Sequence, residues 1–133
     1  MEKSTCEDGM PTSFKAWIPL QRLCIADLPD YGRFPAAYAI RNSTTKEILK
    51  YGHTKHLRQR VFLNFICGWG GSKPEATTQR VHSDLYNNDM IERVEVTWIR
   101  TNSKVEAEQI EIRLRREYMD THHGLRPYWD RQD

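Results

Sequence analysis

Short apolar runs and one alternating stretch predict three β-strands. The runs 36–41 (AAYAIR) and 47–52 (EILKYG) flank the polar segment 42–46, and this arrangement predicts a β-hairpin. The segment 91–100 (IERVEVTWIR) alternates apolar and polar positions, so we expect it to form the third strand.

Helical periodicity and capping signals predict helices between and after these strands. Thr54 is suited to cap a helix whose apolar residues recur at i, i+4 and i+8. These apolar residues are Leu57, Val61 and Phe65. A weaker pattern predicts a further helix over 78–86. Ser103 and Glu106 form a capping box that opens a long helix, expected to end near His123.

This order of elements predicts one α+β domain with a small three-stranded antiparallel β-sheet flanked by helices. A chain of 133 residues is long enough for one domain with a core and too short for two. We expect residues 1–13 to form a poorly ordered polar tail and residues 14–133 to form the domain. Prolines interrupt residues 14–35, which we expect to wrap around a core at 36–131.

Composition indicates the cellular compartment more clearly than it indicates the function. The net charge is only +2, which does not by itself indicate a nucleic-acid-binding protein. The three cysteines include no CxxC pair, and this favours a reducing, cytoplasmic setting. The first residues lack the apolar core of a signal peptide, and no stretch approaches the roughly 18 apolar residues of a membrane span. We therefore expect no membrane partner.

Positive charge is concentrated between residues 50 and 60, where four Lys/Arg and two His occur without an acid. These residues are Lys50, His53, Lys55, His56, Arg58 and Arg60. Such a strip suits the phosphate oxygens of nucleic acid, and Lys55 and Arg58 are candidates to bind them. The alternative interpretation is a solvated helix face.

Glu111 is a carboxylate on an otherwise apolar stripe of the last helix. The other residues of the stripe are Ala107, Ile110, Leu114 and Tyr118. Desolvating an unpaired carboxylate is costly, so a compensating partner is expected. A metal ion is the simplest partner, and an ion pair with Arg60 is the alternative.

Short motifs occur in a fixed order between residues 34 and 131. They are AAY at 36–38, KYGHT at 50–54, LRQR at 57–60, EAEQIE at 106–111 and PYWD at 127–130. Together they resemble the signature of the GIY-YIG nuclease superfamily, with its Gly-Ile-Tyr, Tyr-Ile-Gly-x-Thr, Leu-x-x-Arg, helical Glu and Pro-x-Trp-Asn elements. The resemblance implies a GIY-YIG-like fold.

The resemblance also implies a function, a metal-dependent endonuclease that hydrolyses phosphodiester bonds in nucleic acid, with DNA favoured over RNA. Glu111 would hold one Mg²⁺ or Mn²⁺ ion, and Arg60 would neutralise charge on the scissile phosphate. Tyr38, assisted by Lys50, would activate the attacking water. The expected substrate-binding residues are His53, Lys55, Arg58, Asn64 and Asp130.

Ala36-Ala37 replaces Gly-Ile, a mild change for a strand, and three positions of the expected site also depart from the family pattern. Lys50 replaces the second motif Tyr, and Asn64 stands where several members have His or Tyr. Asp130 replaces Asn, which adds either a second carboxylate near the metal or a negative charge near phosphate. A three-residue turn in the hairpin would place Tyr38 opposite Lys50, whereas a four-residue turn would place it opposite Tyr51.

Other interpretations stay open at this point. The domain either cuts nucleic acid or binds it without cutting, and a weaker alternative is a protein-interaction domain. Tyr38 is either catalytic or an aromatic residue that fills the sheet surface, and His53 either contacts phosphate or is a solvated loop residue. Cutting both strands of a duplex would require a homodimer or two sequential nicks.

Overall fold

An antiparallel β-sheet with helices on both faces forms the domain, so the predicted α+β class is confirmed. The computed structural model describes residues 13–22, 28–67 and 76–131. Within these residues the strands are β1 (Ile18–Pro19), β2 (Ala36–Asn42), β3 (Ile48–Thr54) and β4 (Val94–Arg100). Their order in the sheet is β1-β4-β2-β3, which leaves β3 at an open edge.

The prediction of three strands is wrong, because the sheet has a fourth strand in the segment expected to be an irregular wrap. Ile18 pairs with Val96, and Pro19 pairs with Glu95. A two-residue strand is too short to show an alternating pattern. Proline lacks an N–H and is tolerated at the sheet edge, where no donor is needed.

The β2–β3 hairpin contains a four-residue turn and a β-bulge. The Asn42 N–H donates to the Glu47 carbonyl at 2.9 Å, so the turn comprises residues 43–46. The pairing then shifts between Ile40 and Arg41, because Leu49 is an extra residue in β3. Neither pairing considered from the sequence is therefore formed.

The bulge places Tyr38 opposite Gly52 and Ile40 opposite Lys50. Lys50 and Gly52 lie two residues apart on one strand, so their side chains face the same way. Tyr38 and Lys50 consequently share one face of the sheet, as expected from the family register, although they are diagonal rather than direct neighbours.

Three helices in the described residues cover the two faces of the sheet. They are a π-helix (Gln59–Ile66), α1 (Ala76–Asn87) and α2 (Lys104–Thr121). Each predicted helix is confirmed, and Ser103 caps α2 as predicted, since the Glu106 N–H donates to the Ser103 hydroxyl at 3.1 Å. The Glu106 carboxylate accepts from the Asn102 N–H at 2.8 Å, one residue before the N–H that a capping box would use. None of the described helices is long and apolar enough to cross a membrane.

The core is divided unequally between the two faces. The larger cluster packs Tyr38 and Trp98 of the sheet against Phe65 of the π-helix and Leu85 of α1. The smaller cluster lies on the opposite face, where α2 packs through Ala107. The two faces meet at the open edge of β3, and the candidate site lies there.

Candidate active site at the edge of the sheet

A solvent-open cavity of about 400 Å³ lies beside β3. The described residues that line it are Tyr38, Lys50, Gly52, His53, Thr54, Lys55, Arg60, Lys104 and Glu111. The structure thus brings together all four residues that the sequence indicated as catalytic. They come from β2, β3, the π-helix and α2, so no local stretch of sequence contains the site.

Tyr38 is held by its position in the middle of the sheet. Only 1% of its surface is exposed, and its ring packs edge-on against Phe65 with ring centroids 6.2 Å apart. The ring also lies directly over Gly52, where an added Cβ would overlap it. Tyr38 therefore fills the sheet surface and also reaches the cavity, so the two interpretations of this residue are compatible.

Arg60 is directed at Tyr38 by contacts on three sides. It hydrogen-bonds to the Tyr38 side chain and donates to the Thr78 hydroxyl at 3.1 Å. Its guanidinium lies 4.9 Å from the centre of the Phe65 ring, a cation–π distance. Thr78 was not expected from the sequence, because it comes from α1, a helix with no motif.

Lys50 is buried and forms an ion pair with Asp130. Its ammonium lies 2.6 Å from Asp130 Oδ1, and both side chains are at least nine-tenths buried. The second oxygen, Oδ2, accepts the Tyr51 N–H at 3.0 Å, a donor that β3 presents at its open edge. The carboxylate of Asp130 thus compensates Lys50 and contacts the edge strand.

The protonation states of this cluster follow from burial and charge. Burial raises the pKa of Tyr38, an effect that outweighs the lowering by Lys50 and Arg60. Burial lowers the pKa of Lys50, but Tyr38 and Asp130 raise it by more, so the net shift is upward. At neutral pH Tyr38 is a neutral phenol and Lys50 an ammonium.

The Asp130 side chain depends on a buried anchor that the sequence did not reveal. Trp129 donates its indole N–H to Asp84 Oδ2 at 2.7 Å, and both residues are buried. Asn88 donates to the other oxygen of Asp84, also at 2.7 Å. The 3₁₀ turn Tyr128–Asp130 is therefore fixed to α1, and this fixes Asp130 beside β3.

Glu111 is buried, as its helical position predicts, with 8% of its surface exposed. The structure pairs Glu111 with His53 Nδ1 and with Arg115, two partners that were not considered from the sequence. Arg115 lies one turn further along α2, and His53 comes from β3. The i, i+4 spacing of Glu111 and Arg115 was the available sequence signal.

Glu111 is the carboxylate among the described residues that line the cavity, and so the residue there that could hold a divalent cation. Within residues 13–22, 28–67 and 76–131, no group of three or more His, Cys, Asp or Glu residues is arranged to hold a metal. Magnesium is often bound through one or two carboxylates, with waters and substrate phosphates as its other ligands. Glu111 supplies one such carboxylate, and His53 and Arg115 already engage it.

Of the five predicted substrate-binding residues, two are among the described residues that line the cavity. His53 and Lys55 line the cavity, and Lys104 at the start of α2 joins them without having been expected. Arg58 packs beside Gly32. The side chain of Asn64 lies outside the described residues.

Comparison with known proteins provides no family assignment. The chain matches no protein-family model and no curated protein.

Proposed function

We propose that the protein is a divalent-metal-dependent endonuclease that hydrolyses phosphodiester bonds in nucleic acid, with DNA favoured over RNA. The observation that carries the proposal is the meeting of Tyr38, Lys50, Arg60 and Glu111 in one cavity. The motif resemblance described above supports it, and assignment to the GIY-YIG superfamily is part of the proposal.

The charge of the cavity favours a phosphate ligand. Among the described residues, four Lys/Arg side chains and one His line it, against a single carboxylate. The cations are Lys50, Lys55, Arg60 and Lys104. Clustered basic groups attract the nucleic-acid backbone, and Arg60 is suited to bind phosphate oxygens through its planar guanidinium.

In the proposed reaction, water attacks the scissile phosphorus and the bond to the 3′ oxygen breaks. Arg60 stabilises the negative charge that develops on the phosphate. In its ionised form, which the Lys50 ammonium stabilises, Tyr38 takes a proton from the attacking water and returns to the neutral phenol. A divalent cation held by Glu111 would supply positive charge near the departing 3′ oxygen. Because burial raises the pKa of Tyr38, the rate should increase with pH through the neutral range.

A second candidate function is binding of nucleic acid without cleavage. The observation that favours it is the engagement of Glu111 by both His53 and Arg115. A cation would have to compete with these two donors for the carboxylate. The basic cavity would bind phosphate in either case.

The setting and assembly of the protein are also proposals. Cys67, the cysteine within the described residues, is exposed and free of a disulfide, which supports a reducing, cytoplasmic setting. One copy presents the site described above, so we propose that duplex cleavage proceeds through a homodimer or through two sequential nicks.

The proposed activity is tested by Glu111→Gln, which keeps the size of the side chain and removes its charge. Single-stranded DNA, duplex DNA and RNA are each incubated with the protein and Mg²⁺, Mn²⁺ or EDTA. We expect metal-dependent products from the wild type and a rate at least about a hundredfold lower from the variant, because the metal ligand is lost.

Glu108→Gln is the matched control, since Glu108 is exposed one turn earlier on α2. It should cut at the wild-type rate. Cleavage that persists in Glu111→Gln would contradict the metal assignment. Salt-sensitive binding without products from any protein would favour the second candidate function.

A further inference from the structure

Asp130 has contacts that the proposed reaction does not require of a substrate-binding residue. One oxygen bonds to the Lys50 ammonium at 2.6 Å, and the other accepts the Tyr51 N–H at 3.0 Å. Both groups belong to β3, so the carboxylate joins the C-terminal turn to two consecutive residues of the edge strand. Its two oxygens are directed at protein groups.

Lys50 is in turn the cation placed beside Tyr38. It lies on the same face of the sheet, two residues along β3 from Gly52, the direct partner of Tyr38. A lysine side chain is long and flexible, and a buried ammonium without a partner is costly. The bond to Asp130 removes that cost and restricts the ammonium to one position.

The position of the Lys50 ammonium matters because it is one of the charges that act on Tyr38. Within the described residues, the charged groups that act on its hydroxyl are Lys50 of β3, Arg60 of the π-helix and Asp130 of the C-terminal turn. The π-helix also contributes Phe65, and β4 contributes Trp98 as the cross-strand partner; neither carries a charge. Asp130 is thus the acidic member of a cluster of two cations and a phenol.

We propose that Asp130 is a positioning residue that holds the Lys50 ammonium beside Tyr38 and compensates its charge until a substrate phosphate enters the cavity. The inference rests on the proposed function for its final step, the arrival of the phosphate. The hold on Lys50 and its effect on Tyr38 belong to the protein without substrate. They are measurable whether or not the protein cuts nucleic acid.

The test measures ionisation of the Tyr38 phenol directly. The full chain is labelled with 3-fluorotyrosine, whose ring fluorine makes the phenol more acidic, and each of the six tyrosines is followed by ¹⁹F NMR during a pH titration. Tyr38→Phe identifies the Tyr38 signal. Circular dichroism at each pH confirms that the chain stays folded.

Asp130→Asn keeps an oxygen that accepts from Lys50 and removes the negative charge. We expect the titration midpoint of Tyr38 to fall by about one pH unit, because the ammonium then acts without its counter-charge. Lys50→Met should raise the midpoint by about one pH unit, because it removes the cation. Asp120→Asn, at an exposed position on α2, should leave the midpoint unchanged.

The two variants make the proposal falsifiable even if one of them fails to fold. An unchanged or raised midpoint in Asp130→Asn, or an unchanged midpoint in Lys50→Met, overturns the proposal. A purely structural role for Asp130 would destabilise the chain without opposite shifts of the Tyr38 midpoint in the two variants.

The rate of cleavage then separates this inference from the proposed function. If both hold, the acid limb of the pH–rate profile in Asp130→Asn moves to lower pH by the same amount, and cleavage at neutral pH rises about tenfold. Shifted phenol titrations without cleavage in any protein support the positioning role and refute the nuclease. Cleavage with an unshifted phenol refutes the positioning role alone.

Discussion

Gly52 shows how one residue without a side chain sets the site. The Tyr38 ring occupies the space that a Cβ at position 52 would need. We expect Gly52→Ala to push the ring away from Arg60 and to destabilise the protein by about 1–3 kcal/mol, as overpacking commonly does. Urea denaturation measures the stability, and the cleavage assay should show a reduced rate.

A double-mutant cycle with Tyr38→Ala separates this clash from any general effect of alanine in a strand. Once the ring is absent, Gly52→Ala should cost nothing and should stabilise by about 0.5–1 kcal/mol, because glycine inside a strand is less favourable than alanine. An equal cost in both backgrounds would show that the ring is not the cause.

The sequence predicted the members of the site better than it predicted their partners. The burial of Glu111 followed from its position on an apolar helical stripe, and Tyr38, Lys50 and Arg60 followed from motif spacing. The pairing of Glu111 with His53 was not predictable in this way, because it depends on how α2 lies across the edge of β3. Asp84 gave no signal at all, since its burial depends on the C-terminal turn that packs over it.

At the scale of the elements, α2 carries both the proposed metal ligand and a competitor for it. Arg115 donates to the carboxylate of Glu111 one turn away. We expect Arg115→Gln to increase the affinity for Mn²⁺ about three- to tenfold, because the cation no longer displaces a guanidinium. Calorimetric titration with Mn²⁺ in the absence of nucleic acid measures the affinity.

Arg113→Gln is the matched control for this measurement. Arg113 is exposed two residues earlier on the same helix, so its removal changes the net charge equally. An equal gain in both variants would indicate a general charge effect rather than competition at Glu111. Unchanged affinity in Arg115→Gln would indicate that the ion pair does not limit metal binding.

In the β2–β3 hairpin, the apolar pattern predicted the strands but not the register in which they pair. The positions of both strands followed from their apolar runs, yet the register depended on one extra residue, Leu49. Ile48 and Leu49 are adjacent apolar residues, and Leu49 is buried in the larger core cluster. An apolar pair of this kind does not reveal which residue is bulged, so the count of turn residues gave neither the partner of Tyr38 nor its face. The prediction that Lys50 shares a face with Tyr38 came from the register set by Gly52.

At the scale of the whole molecule, the α+β class and the order of the elements were predictable. The contacts that join distant segments of the chain were not. Burial and spacing of local runs identify strands and helices, but contacts between distant segments leave little trace in one sequence. The first strand of the sheet and the C-terminal turn are both of this kind. Lys15 donates its N–H to the Trp98 carbonyl at 2.9 Å, and Trp129 bonds to Asp84 across 45 residues.

The bond between Trp129 and Asp84 allows a test of how the C-terminal turn is held against α1. Trp129→Phe removes the indole donor and leaves one oxygen of buried Asp84 without its bond, at a cost of about 1–3 kcal/mol in unfolding free energy. The turn that carries Asp130 should also loosen. The Tyr51 N–H donates to Asp130, so its hydrogen exchange should then become faster relative to that of the other amides of β3.

Trp98→Phe is a closely matched control, because the chain offers a second buried tryptophan whose indole N–H has no hydrogen-bond partner within the described residues. The same substitution there removes similar volume but no hydrogen bond, so it should cost less than Trp129→Phe. Exchange at Tyr51 should stay near the wild-type rate, because Asp84 still holds Trp129. Equal losses of stability in the two variants would mean that ring volume, rather than the bond to Asp84, fixes the end of the chain against α1. Faster exchange at Tyr51 in both variants would likewise count against a specific connection from Asp84 through Trp129 and Asp130 to the edge of the sheet.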